Sequence, residues 1–384
     1  MSAVCLHQQK NRSNASPLSK GERSLSSTAL GLSLALLALF CGLATAPARA
    51  AADAGSAADH YELGHGYSVP SANLTIGGYF TLRWQDPSRK PMRLDAEDTS
   101  MFLSWNPGSR TRVFSEIEIG QALTLDRKGL STRNAEFDLE RLYVDYDATD
   151  RFTLRFGKFL TPIGHWNLIH ASPLVWTTSR PLVTERIFAQ QSTGAMVYGT
   201  LPLRENELDY IAYADDTNDL DPKNEGTKGV EAGIPPTDKF KNAYGFRFVY
   251  HMFEDSTRLG LSYSSFHVHG FNERKHLVGI DGTWARNGYE LSSEFAFRAS
   301  EEGNERTEWG GFVQGVVPIA GQIYGVARSE WFNSRLTHGT ATIGTFGLAY
   351  RPVSPLVFKL EYHIGDNNDV VAPDSWLASM AVLF

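Results

Sequence analysis

The sequence predicts an all-β protein, a transmembrane antiparallel up-and-down β-barrel of about 16 strands. Three observations carry that expectation. Apolar and polar residues alternate almost without a break from Asn73 to Phe384. The connections between the alternating runs switch between short and long. Fully charged groups recur on the face opposite the aromatics, which a packed soluble core would not accept.

Successive side chains of a strand point to opposite faces, so each run can be read as one wall with two sides. In the first, Leu74, Ile76, Phe80, Leu82 and Trp84 oppose Thr75, Thr81 and Arg83. Further along, Ile117 and Ile119 oppose Glu116 and Glu118, and Leu142, Val144 and Tyr146 oppose Arg141, Tyr143 and Asp145. Phe246 and Phe248 oppose Arg247, Leu259 and Leu261 oppose Arg258, Phe295 and Phe297 oppose Glu294 and Arg298, and Leu360 and Tyr362 oppose Lys359 and Glu361. The runs fall at 73–84, 98–106, 110–121, 136–147, 151–160, 192–203, 207–214, 241–253, 256–267, 274–285, 288–299, 307–317, 321–332, 340–350, 356–365 and 374–384. Most have the ~9–11 residues that a tilted strand needs to cross a bilayer.

Asn106–Ser109, Ala148–Asp150, Arg204–Asn206, Arg286–Gly288, Pro318–Gly321 and Arg351–Pro355 read as tight turns. Longer connections lie between them, at 85–97, 122–135, 161–191 and 215–240. An even strand number with short turns at one end and long loops at the other is the pattern of an outer-membrane barrel. Inside hydrocarbon every backbone N–H and C=O needs an internal partner, which only helices or closed barrels supply. Trp84, Trp105, Tyr146, Trp284, Trp331, Tyr350 and Trp376 sit near strand ends, where interfacial girdles belong. In the last run Trp376, Met380, Val382 and Phe384 share a face. A terminal Phe384 there resembles the signal read by barrel-assembly machinery in bacterial outer membranes, which sets the expected location.

Residues 1–50 read as a secretory signal peptide: Lys10, Arg12, Lys20 and Arg23, an apolar run Ala29–Leu43, then Ala48-Arg49-Ala50. Phe40 before Cys41 argues against lipidation there. Residues 51–72 are small, polar and aperiodic, a periplasmic lead-in, and 73–384 are the barrel. Removal of the first 50 residues would leave 31 Lys+Arg against 42 Asp+Glu, a net charge of −11 and no nucleic-acid signature. Both cysteines, Cys5 and Cys41, fall in the removed part, so neither disulfides nor a Cys-ligated metal would hold the fold.

The stretch 161–191 stands apart. Thr161-Pro162-Ile163-Gly164 ends a strand, and about thirty residues follow before the next, far beyond ordinary loop lengths. Trp166, Trp176, Ile163, Leu168 and Ile187 make it too apolar for a linker, so it is expected to fold inward as the constriction of a pore, with Trp166 and Trp176 as anchors. The segment LERLYVDYDATDRFTLRFGKFLTPIGHW (Leu139–Trp166) resembles the strand–turn–strand–loop segment of phosphate-selective porin O/P-type channels and related sixteen-stranded porins. That resemblance implies a porin, a passive channel for small hydrophilic solutes or ions, possible as a homotrimer in outer-membrane lipid. It implies no cofactor.

Lumen positions hold Arg83, Arg155, Lys158, Arg247, Arg258, Arg298, Arg328 and Lys359 against Glu116, Glu118, Asp145, Asp281, Glu290, Glu294, Glu330 and Glu361. Eight against eight gives no overall sign. At the narrowest point the candidates are Arg155, Lys158, Arg180 and Arg186, opposed by Glu185, Glu116 and Glu118, and a local excess of cations there would give weak anion preference. The rival reading is a non-channel barrel, plugged or lipid-acting. Against an enzyme, the chain has no G-x-S-x-G, and Ser262 and Ser264 fall on the lumen side. His267, His269 and His276 could meet at the outer rim as metal ligands, but solvated surface histidines are the commoner case. The acidic stretch Asp215–Gly226 has oxygen ligands without the glycine of an EF-hand loop, and is expected to be a solvated external loop. No metal site is expected.

Overall fold

The computed structural model describes residues 61–216, 240–268, 273–337 and 339–384. The expected signal segment, residues 217–226 of the acidic loop, and His269 lie outside the described residues. Sixteen long strands form one closed antiparallel barrel. They are β1 (Leu74–Pro87), β2 (Arg93–Trp105), β3 (Thr111–Asp126), β4 (Glu136–Thr149), β5 (Phe152–Leu160), β6 (Gln191–Leu203), β7 (Asn206–Asp215) and β8 (Phe240–Met252). The second half has β9 (Thr257–Val268), β10 (Lys275–Arg286), β11 (Tyr289–Ser300), β12 (Glu308–Ala320), β13 (Ile323–Asn333), β14 (Ala341–Val353), β15 (Leu356–Asp366) and β16 (Ser375–Leu383). Short strands Tyr61–Glu62 and Gly66–Val69 add a small hairpin before β1, and Gly129–Ser131 folds back on β3.

Closure comes from β16 pairing with β1, from Ser375 opposite Pro87 to Leu383 opposite Tyr79. The chain end takes part: Phe384 and Gly78 exchange both backbone hydrogen bonds at 2.8 Å. A barrel has no edge only if this seam forms, since unpaired backbone in lipid costs several kcal/mol per group. Deleting Phe384 is therefore expected to lower the yield of folded, heat-modifiable barrel, scored by gel mobility of unboiled outer membranes. Unchanged yield would mean that the seam closes without the last residue.

The two faces separate as the alternation requires. Leu259, Leu261, Ile280, Phe295 and Phe346 are exposed on the outside, while Arg247, Ser262, Glu294 and Lys359 are buried inside. Trp105, Tyr146, Trp284 and Tyr350 lie outward at the short-turn end, and Trp331 and Trp376 at the other, giving two aromatic rings around an apolar belt.

Two expected loops shrink. The connection after β1 spans only 88–92 rather than 85–97, and β3 runs on to Asp126. Both changes come from β-bulges that alternation cannot follow. The pairing slips at Glu97 between β1 and β2, and again where β2 meets β3 near Gln121, a residue with φ of 46°. A third bulge on β4 puts Glu116 opposite Arg141 but Ile117 opposite Leu139, so Glu140 is the extra residue.

Candidate pore constriction

The segment 161–190 leaves β5, enters the barrel and returns to β6. Its neck is closed by Thr161 N–H donating to Gln190 O at 2.8 Å, and by the Asn167 side-chain amide donating to the carbonyls of Thr161 and Gln190 at 2.7 and 2.9 Å. Inside are 3-10 turns at Trp166–Leu168 and Ser172–Leu174 and one short helix, α1 (Leu182–Arg186). Gly164 has φ of +67°, and a Cβ there would come within 2.5 Å of a Glu294 oxygen, so glycine is required where the loop turns onto the wall.

Apolar anchoring comes first. Ile163, Trp166, Val183, Ile187 and Phe188 join Phe159, Phe266, Leu277, Phe312 and Phe332 in one buried cluster inside the barrel. Trp166 is 3 % exposed and meets Phe312 edge-on with ring centres 6.1 Å apart. Burying such a side chain stabilises by about 2–3 kcal/mol. Trp176 is only half-buried; its Nε1 donates to Glu290 at 2.8 Å, its ring packs on Tyr324, and Arg351 lies over it at 4.5 Å.

A loop buried this way exposes its backbone to a medium without water, and each unsatisfied group would cost about 1–3 kcal/mol. The charges on the wall answer that demand. Glu361 accepts the N–H groups of Thr178 and Ser179, both at 2.9 Å, and Glu330 accepts that of Leu182 at 2.8 Å. Glu294 accepts the N–H of Trp166. Lys359 donates to the carbonyls of Ser172 and Thr177, Arg328 to Ser179 O and two loop hydroxyls, Arg351 to Pro173 O, and Arg298 to Ile187 O. So Arg298, Arg328, Lys359, Glu290, Glu294, Glu330 and Glu361, expected to line the lumen, clasp the loop instead. Arg247 is buried beneath it, paired with Asp281 and hydrogen-bonded to Ser262. Arg258 lies at the short-turn rim with Asp255, outside the constriction.

The loop then crosses to the opposite wall. His170 Nε2 stands 3.6 Å from both Glu118 on β3 and Glu140 on β4, and Ser172 donates to Asp98 on β2 at 2.8 Å. Glu116 sits alongside, held by Arg141 at 2.5 Å and by Ser100 at 2.8 Å, while Tyr79 donates to Glu118. Lys158 is 3.7 Å from Asp138. Of the residues expected at the narrow point, Glu116, Glu118 and Lys158 meet there. Arg155 does not, being clamped on Asp145 by two hydrogen bonds of 2.7 and 2.9 Å; Arg83 pairs with Glu97; Arg180 is spent on the carbonyl of His170. Glu185 and Arg186 lie half-buried on α1. His170, Asp138 and Glu140 belong to the crossing and were not among the expected residues. Strict alternation points Glu140 outward, and only the bulge turns it in beside Arg141.

The donor atoms of Glu116, Glu118 and His170 lie within 4.8 Å of one another, a set able to hold a divalent cation, though both carboxylates already accept hydrogen bonds from the protein. Within the loop, burial pushes the His165 imidazole down to about 4 despite nearby Asp281, so it stays neutral. At the rim, His276 bonds Tyr263 and His267 bonds Asn242, each on its own partner.

Several solved barrels share this architecture. OmpF of Salmonella typhi, solved in complex with daunomycin, aligns with a TM-score of 0.58 at 9 % identity, over 83 % of this chain and 99 % of that one. The outer-membrane channel DcaP of Acinetobacter baumannii gives 0.56 at 13 % identity, over 83 % and 100 %. An anion-selective porin from Comamonas acidovorans gives 0.51 at 10 % identity, over 81 % and 99 %. The fold is that of the bacterial outer-membrane porins. With its apolar belt and closed backbone, the chain is an outer-membrane protein of a Gram-negative bacterium. No protein-family model matches the chain. An uncharacterized protein of Aquifex aeolicus is 28 % identical over 144 residues, 36 % of this chain and 31 % of that relative, so the match spans about a third of the relative's length.

Proposed function

We propose that the protein is a porin, a passive diffusion channel for small hydrophilic solutes and ions, working as a homotrimer after removal of residues 1–50. The asymmetry of the lumen carries this reading. The loop is clasped to the β9–β16 side, while Arg112, Arg141, Tyr143, Arg155 and Tyr198 on β3–β6 remain partly exposed on the inner face. Barrels of this strand number are wide enough for an aqueous path beside such a loop. Purified protein added to a planar bilayer is expected to give stepwise ion conductance. A folded barrel that gives no steps would establish the rival, a plugged barrel. Ser262 and Ser264, hydrogen-bonded to Arg247 and Tyr213 inside the lumen, offer nothing to a lipid substrate.

For ion preference the geometry favours the opposite sign to that expected from the loop arginines. Arg155 is neutralised by Asp145, whereas the four carboxylates Asp138, Glu140, Glu116 and Glu118 gather around His170 with three cations nearby: Arg141, Lys158 and Arg180, which donates to the His170 carbonyl. A low-dielectric wall focuses such a local excess. The channel is therefore proposed to prefer cations weakly, and the inner-face arginines Arg112, Arg141 and Arg155 are each paired with a carboxylate. In a KCl gradient the wild type should show a cation-side reversal potential, and Glu118→Gln/Glu140→Gln should move it toward the anion side. An anion-side potential in the wild type would refute the assignment of the filter to this cluster.

A further inference from the structure

We infer that the crossing at His170 is a binding site for a divalent cation of the zinc type, which sets the ion preference of the pore, an inference that rests on the channel reading above. The ligands are the His170 imidazole and the carboxylates of Glu118, Glu140 and Glu116. The distances carry the assignment. His170 Nε2 stands 3.6 Å from a Glu118 oxygen and 3.6 Å from a Glu140 oxygen. That is longer than a hydrogen bond, which spans about 2.7–3.2 Å. It is close to the separation of about 3.4 Å between two ligand atoms that share a tetrahedral ion, each about 2.1 Å from it. One imidazole nitrogen therefore faces two carboxylate oxygens at the spacing of a ligand set. Glu116 adds a third carboxylate, with its oxygen, a Glu118 oxygen and a His170 nitrogen all within 4.8 Å of one another.

The protein holds each ligand from behind, as metal centres commonly do. Tyr79 donates to Glu118, Ser100 and Arg141 donate to Glu116, and the Gln191 amide donates to Glu140. His170 is presented from a pinned backbone: Arg180 donates to its carbonyl, and Ser172, two residues on, donates to Asp98. An imidazole nitrogen among carboxylates suits zinc, cobalt or nickel. Calcium and magnesium instead take oxygen ligands, typically six or more. The His170 side chain is 11 % exposed, against 3 % for Glu118 and 0 % for Glu140, so the ion reaches the site from the lumen past the imidazole. Two things follow from occupancy. The ion ties the loop crossing to β3 and β4 and narrows the aqueous path. Its two charges also outweigh the single excess negative charge of the four carboxylates and three cations around His170, so the filter turns from cations toward anions.

The test uses the full chain in planar bilayers with zinc chloride as the probe. Zn²⁺ should lower the conductance saturably and move the reversal potential in a KCl gradient toward the anion side, and EDTA should restore both. Mg²⁺ at the same concentration should do neither, which separates ligation from screening. His170→Ala should raise the zinc concentration of half-effect at least about 10-fold, while the rim variants His267→Ala and His276→Ala should respond as the wild type does. A second measurement does not depend on conduction. Co²⁺ added to the detergent-solubilised barrel should give the visible absorption of a tetrahedral site, lost in His170→Ala at unchanged heat-modifiable gel mobility. Equal effects of Zn²⁺ and Mg²⁺, an undiminished zinc response in His170→Ala, or no cobalt absorption would each overturn the site. His170 would then be an imidazolium between two carboxylates, and the channel reading would stand. A barrel without conductance steps would instead sink the channel reading, and the cobalt spectrum alone would decide the site.

Discussion

Excising Asn167–Thr184 should raise single-channel conductance several-fold and admit larger solutes. This segment contains Trp166's neighbouring turn, both 3-10 to helix connections and the His170 crossing, so its removal opens the middle of the lumen. The barrel itself should survive. The uncovered wall charges are balanced, with Glu294, Glu330 and Glu361 against Arg298, Arg328 and Lys359, and water replaces the loop backbone as their partner. What is lost is mostly apolar cover from Val175, Leu182 and Val183, about 1.5–3 kcal/mol each. Conductance and solute size limit that stay at wild-type values would show that the aqueous path does not pass the loop.

Glu361→Ala should release part of the loop without removing it. Glu361 is 2 % exposed and holds two consecutive loop amides as well as His363. Taking away one member of a buried ionic network typically costs about 3–5 kcal/mol, because the partners left behind remain desolvated. In this variant Lys359 would lose Glu361 as its neighbouring countercharge while Arg328 keeps Glu330 at 2.7 Å, and the local response is displacement of residues 177–180 into the lumen. Open-channel noise should rise. Glu361→Gln, which keeps an acceptor oxygen, should fall between the wild type and Glu361→Ala. A quiet Glu361→Ala channel would mean that the apolar cluster alone fixes the loop.

Strand number, the sidedness of Phe246–Arg247 or Leu360–Glu361, and the inward loop were legible because lipid and water impose a period of two over long runs. The register breaks at Glu97, Gln121 and Glu140 were not, since a bulge is one extra residue with no fixed signature. That single uncertainty hid Glu140 from the inner face. The division of the inner charges was also hidden. Arg328 and Arg155 look alike in alternation, yet one feeds loop carbonyls and the other lies on a tyrosine. Only the path of the loop decides between them, and that path depends on pairs such as Thr178–Glu361, far apart in sequence.

The clasping of the loop by one side of the barrel sets where this channel can be re-engineered. Substitutions at Glu294, Arg328, Lys359 or Glu361 trade permeability against assembly, because each of these groups also satisfies buried backbone. Among the described residues, Arg112 and Phe114 make no hydrogen bond to the loop backbone, and Tyr143 and Tyr198 only pack against the edge of the buried cluster. A library confined to these positions could vary what the pore lets through while the clasped half keeps the barrel folding, so redesign of permeability belongs on that side alone.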